Sequence, residues 1–216
     1  PFLIGLIAAW IGMKIRKSMP ESALYETAKA ENRLHHNPAQ IIVQQHLGKV
    51  ITGLVILIPM TFCFFFAFVF FNSFMMTNLH FSASRALMIT SAGILLSLIT
   101  TVWSGWLADR IGYKRILLVG AVLLMASAML ITHMLSGEWG ESLILAGLLI
   151  FAFLIGIYTS SAFAGVAGLF TTEIRYSGVS FAVNIASPVF GSTAPLLGAW
   201  LIREYGIESG FSIIGY

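Results

Sequence analysis

The chain has 216 residues, of which 58% are hydrophobic and 10% charged, and its mean hydropathy is +0.90. A soluble domain carries about 25% charged residues, so this composition excludes a polar, water-facing surface and makes lipid the main solvent. The net charge of +3 comes from basic residues beside apolar runs, which marks topology rather than a nucleic-acid partner. The single cysteine, Cys63, excludes an internal disulfide framework.

Apolar runs of about 20 residues predict membrane-crossing helices. Residues 1–15 form the first, 50–72 the second and 83–106 the third. The fourth covers 116–134, the fifth 142–169 and the sixth 179–202, and residues 209–216 open a seventh. The start at Pro1 and the end inside an apolar run lead us to expect a piece of a longer protein. Between the first two spans, residues 16–49 read as a polar linker of mixed charge.

Ten of the twelve basic residues belong to one side of this arrangement: Lys14, Arg16, Lys17, Lys29, Arg33, Lys49, Arg110, Lys114, Arg115 and Arg175. Only Arg85 and Arg203 fall on the other. The excess of Lys and Arg makes the first side cytoplasmic. Lys29, Asp109 and Glu173 are then expected inside, and Asn78, Glu138 and Glu204 outside. No Lys, Arg, Asp or Glu falls in the middle of a span, so the charged groups that commonly mark ion pathways are not expected here.

Chemistry-bearing residues gather in three places. Gly105-Trp-Leu-Ala-Asp-Arg-Ile-Gly-Tyr-Lys-Arg115 reads as a short charged loop joining two spans. Arg110, Lys114, Arg115 and Arg175 offer donors, and Asp109 and Glu173 acceptors, at one membrane level. Tyr158, Thr159, Ser160 and Ser161 make a polar patch whose members cannot all face one way on a helix. The sixth span carries Asn184, Ser187, Pro188, Gly191, Thr193, Pro195 and Gly198, which fits either a cavity wall or a kinked packing helix. The seven phenylalanines between Phe62 and Phe71 are expected to surround the second span as lipid-facing bulk. His35-His36 reads as solvated, and His133 as structural. No metal-ligand spacing, phosphate-cradling loop or nucleophile–base pair is evident, so no cofactor is expected.

The charged segment resembles the Gly-x-Leu-Ala-Asp-Arg-x-Gly-(Arg/Lys)-Lys motif of major facilitator superfamily transporters. Gly105, Leu107, Ala108, Asp109, Arg110, Gly112 and Lys114 match it, and Tyr113 replaces a usual basic residue. Residues 172–179 with Asn184-Ile185 and Phe190-Gly191-x-Thr193-Ala194-Pro195 are similar to the tenth-to-eleventh loop and eleventh helix of the metabolite:proton symporter branch. Arg16-x-x-Met19-x-Glu21-Ser22 resembles its linker entry. This resemblance implies an all-α transmembrane bundle, the C-terminal half of a twelve-helix fold. Residues 1–15 would be helix six, 16–49 the cytoplasmic linker, and 50–216 helices seven to eleven with the start of twelve.

The resemblance further implies proton-coupled symport of a small polar metabolite, such as an organic acid, proline or betaine. The expected partners are that substrate, the lipid bilayer and an N-terminal half of the same protein. Gly105, Asp109, Arg110, Gly112, Lys114, Arg115, Glu173 and Arg175 would form a cytoplasmic gate. Asn184, Tyr158, Ser187 and Thr159 are the candidates for the substrate cavity. A membrane-embedded enzyme and a non-transporting sensor are the alternatives. The first would need converging catalytic groups, and the spans offer only hydroxyls, amides and one histidine.

Overall fold

The computed structural model describes residues 6, 9–15, 42, 44–136 and 141–215. Expectations for Lys29, the histidine pair at 35–36, Glu138 and most of the linker lie outside the described residues, as does the side chain of His133.

Residues 9–15 are helical and exposed. Helix α1 (Leu47–Phe65) runs through a π-helical turn (Phe66–Phe70) into α2 (Phe71–Thr77), giving one span of 31 residues. Helix α3 is Ala83–Ile111, α4 is Tyr113–Ser136 and α5 is Glu141–Ala167. Helix α6 (Arg175–Ala186) passes through a second π-helical turn (Ser187–Gly191) towards α7 (Thr193–Gly215). Gly206, with φ 79°, bends α7 and separates the sixth predicted span from the start of the seventh. The protein is thus an all-α, multi-pass membrane bundle with five helical spans long and apolar enough to cross, among the described residues.

The spans are longer than the apolar runs. Helix α1 starts at Leu47 rather than 50, α3 continues to Ile111, and α4 begins at Tyr113. Charged residues end a hydropathy run, but they do not end a hydrogen-bonded backbone. The expected charged loop is therefore mostly helix, with Gly112 alone between α3 and α4.

Helices α3 and α4 both pack on α5, and α1 packs on α5 and α6. Helix α3 buries Ala86, Thr90, Gly93, Ser97, Thr100, Ser104 and Ala108, one residue every three or four. Its exposed face holds Leu95, Leu98, Val102 and Trp103. Small and hydroxyl residues go inside and large apolar ones outside, because in lipid close packing rather than water exclusion joins helices. Gly156 of α5 shows how close this is. A methyl group there would collide with the Thr100 hydroxyl and lie 2.5 Å from the Ser97 carbonyl oxygen.

The phenylalanines correct an expectation. Phe66, Phe68, Phe70 and Phe71 are buried, Phe62 and Phe65 are half-buried, and only Phe64 of the seven is exposed. Glycines on neighbouring helices make room for the rings. A methyl on Gly191 would sit 2.8 Å from the Phe65 ring, one on Gly198 2.7 Å from Phe70, and one on Gly93 3.1 Å from Phe68. The π-helical turns take part in this fit. The first packs on α7, and the second packs on α1.

Candidate functional site: a charged turn and a polar seam

The turn at the basic end starts from backbone chemistry. Gly112 has φ 93°, a region that L side chains rarely enter, and its N–H donates to Ala108 O at 2.9 Å to close α3. Asp109 and Arg110 occupy the last turn of α3, and Lys114 and Arg115 the first turn of α4. All four are exposed. The Arg110 guanidinium lies 3.9 Å from the centre of the Trp106 ring, which holds the cation along the helix.

Tyr113 fastens α4 to α5. Methyl groups on Gly165 and Gly168 would come within 3.8 and 3.3 Å of its ring and hydroxyl. A tyrosine where the motif usually has a basic residue therefore packs between helix ends. On the same end, Arg175 opens α6 and donates from Nε to Phe170 O at 3.4 Å, and Glu173 is half-buried just before it. A methyl on Gly53 would lie 3.3 Å from both Ala182 and Val166, so α1, α5 and α6 converge here as well. The structure thus brings the predicted gate residues to one end of the bundle. Gly105 stands one turn deeper, against Ser160.

The polar patch of α5 is divided as its crowding requires. The Tyr158 hydroxyl donates to Ile56 O of α1 at 2.9 Å, and Tyr158 is only 4% exposed. Thr159 donates to its own helix at Ile155 O, 2.7 Å away. Ser160 lies 2.9 Å from Ser104 of α3, and Ser104 donates to Ile157 O at 3.1 Å. Thr101 donates to Gly156 O at 3.2 Å. The Ser161 hydroxyl is buried without a partner among the described residues.

These bonds form a polar seam between α3 and α5, and sequence reading missed the α3 side of it. The spacing of Ser97, Thr100 and Ser104 was the available signal. Of the other cavity candidates, Asn184 is exposed and donates from Nδ2 to Ser180 O at 2.8 Å, while Ser187 is half-buried at the start of the second π-helical turn. Tyr158 thus bonds to a neighbouring helix and Thr159 to its own, whereas Asn184 is exposed.

Among the cavities lined by described residues, two lie between spans. One of 350 Å³ is almost wholly apolar, lined by Pro59, Phe62, Cys63 and Phe66 of the first span with Leu124 and Phe151. The other, of 420 Å³, opens at the end opposite the charged turn, between α2 and α7.

The family model described as Major Facilitator Superfamily matches residues 38–216, most of the chain and the whole described bundle. The chain belongs to the major facilitator superfamily. Relatives within reach are named as transporters. It is 26% identical over 211 residues to the inner membrane metabolite transport protein YhjE of Escherichia coli, covering 96% of this chain and 48% of the relative. It is 28% identical to a putative proline/betaine transporter of Staphylococcus aureus (95% and 44% covered). It is also 28% identical to the proline/betaine transporter of Escherichia coli (94% and 42% covered). The chain therefore spans a little under half the length of these relatives. No solved structure matches it. The motif that carried the resemblance, Gly105 to Lys114, is the charged turn of this superfamily member.

Proposed function

We propose that this chain works as the C-terminal half of a secondary active transporter, which carries a small polar metabolite together with protons by alternating access. The observation that carries the reading is the charged turn at Gly112, set on tightly packed helix ends in a superfamily member. Two bundles that rock about a central site need helix ends that associate and separate at one surface. Asp109, Arg110, Lys114 and Arg115 are exposed where such a contact would form. The names of the relatives favour proline, betaine or a related metabolite as the cargo.

Orientation follows from the basic excess, which makes the charged turn cytoplasmic. Protons are the proposed coupling ion. The carboxylates Asp109, Glu173 and Glu204 stand at span ends here, so the group that carries the proton through the membrane is assigned to the N-terminal half. The test is uptake of labelled proline, betaine and small organic acids by the full transporter, with and without an inward proton gradient. Uptake that ignores the gradient would leave transport standing and remove the coupling.

A further inference from the structure

We infer that the cleft between α2 and α7, at the end opposite the charged turn, is a second binding site, which takes the carboxylate of a small substrate before it reaches the central site. This deepens the transporter reading and rests on it. The cleft has a volume of 420 Å³, the size of a small-metabolite pocket. Its walls are apolar, with Val69, Phe70, Phe74 and Ile202 among them. Its polar groups are Ser73, Thr77, Asn78 and Arg203.

Their hydrogen bonding gives the cleft its sign. The Thr77 hydroxyl lies 3.0 Å from Ser73 O and 2.8 Å from Asn78 Oδ1, within reach of both with its one proton. The Asn78 oxygen faces that hydroxyl, and its Nδ2 group is a donor. Arg203 is exposed at the rim, on the last turn before the Gly206 bend. Among the described lining residues none is acidic. An amide donor and a guanidinium fork beside apolar walls suit a carboxylate with a compact apolar body. Arg85, the other basic residue expected at this end, stacks on Phe81 with 4.3 Å to the ring centre and does not line the cleft.

The test uses the full transporter in sealed right-side-out vesicles, with Cys63→Ser and Ser73→Cys. Ser73 lines the cleft and is exposed, so an impermeant thiol reagent should label Cys at this position from outside. Glycine betaine, L-proline, propionate and succinate are the probes, and choline is the control without a carboxylate. At about ten times its dissociation constant a bound probe should slow labelling about tenfold. Arg203→Gln should weaken that protection about tenfold or more, the loss expected for a charge-assisted hydrogen bond. Arg203→Lys should restore part of it.

Choline should not protect. Protection by none of the four carboxylates, or equal protection by choline, overturns the site. So does protection that Arg203→Gln leaves unchanged in a normally abundant protein. Uptake measured on the same vesicles keeps the two readings apart. Protection without any uptake supports the cleft and removes the transporter, whereas uptake without protection removes the cleft alone.

Discussion

The hydroxyl of Tyr158 donates to the carbonyl oxygen of Ile56 at 2.9 Å and ties the middle of α5 to α1. Three residues further along α1, Pro59 interrupts the helix ladder. The bond spans two helices that both carry weight in the bundle. It gives a residue first read as a substrate contact a structural task.

Tyr158→Phe should therefore destabilise the protein by about 1 kcal/mol, the usual worth of one such bond. Thermal unfolding in detergent reads the loss. The KM for transport should stay within about twofold, because uniform substrate binding is untouched. A KM raised more than about tenfold would return Tyr158 to the substrate.

Gly156 sets the distance between α3 and α5. Gly156→Ala places a methyl against Thr100 and the fixed Ser97 carbonyl, so the helices must separate. Overpacking of this kind costs about 1–3 kcal/mol. Membrane abundance and melting temperature should both fall. Thr100→Ala in the same chain should recover little, since the backbone oxygen remains in the way.

Gly198 faces a flexible partner instead. Gly198→Ala meets the Phe70 ring at 2.7 Å, and a smaller side chain at 70 should relieve it. The pair Gly198→Ala with Phe70→Leu should be more stable than the sum of the two single changes implies. A coupling of at least ~0.5 kcal/mol in a double-mutant cycle is expected, and simple additivity would refute the contact.

The charged turn makes a different prediction. Asp109 is exposed, so Asp109→Asn should leave abundance and melting nearly unchanged. Transport should fall by about tenfold or more, which corresponds to ~1.4 kcal/mol. Normal uptake by an abundant mutant would take Asp109 out of the mechanism. Cysteines at 109 and 78, on a Cys63→Ser background, should label from opposite faces of the membrane.

The architecture was legible because long apolar runs report membrane-length helices. Five predicted spans reappear, with Gly112 and Gly206 at turns where glycine is needed for a positive φ. Helix ends were less legible, since Asp109 and Arg110 end an apolar run without ending α3. The phenylalanines were misread because hydropathy cannot tell lipid from a neighbouring helix. Phe70 is buried against Gly198, which lies 128 residues away in sequence and beside it in space. The α3 side of the polar seam was hidden for a similar reason. Ser104 looks like one hydroxyl in an apolar run until Ser160 is placed opposite it.

The proposed coupling of transport to a proton gradient is read in vesicles as accumulation of the cargo. The full transporter should concentrate proline, betaine or a small organic acid when the outside is acidic. A protonophore should abolish the accumulation, and Asp109→Asn should slow it. Correctly inserted, abundant protein that moves none of these compounds in either direction would contradict the account.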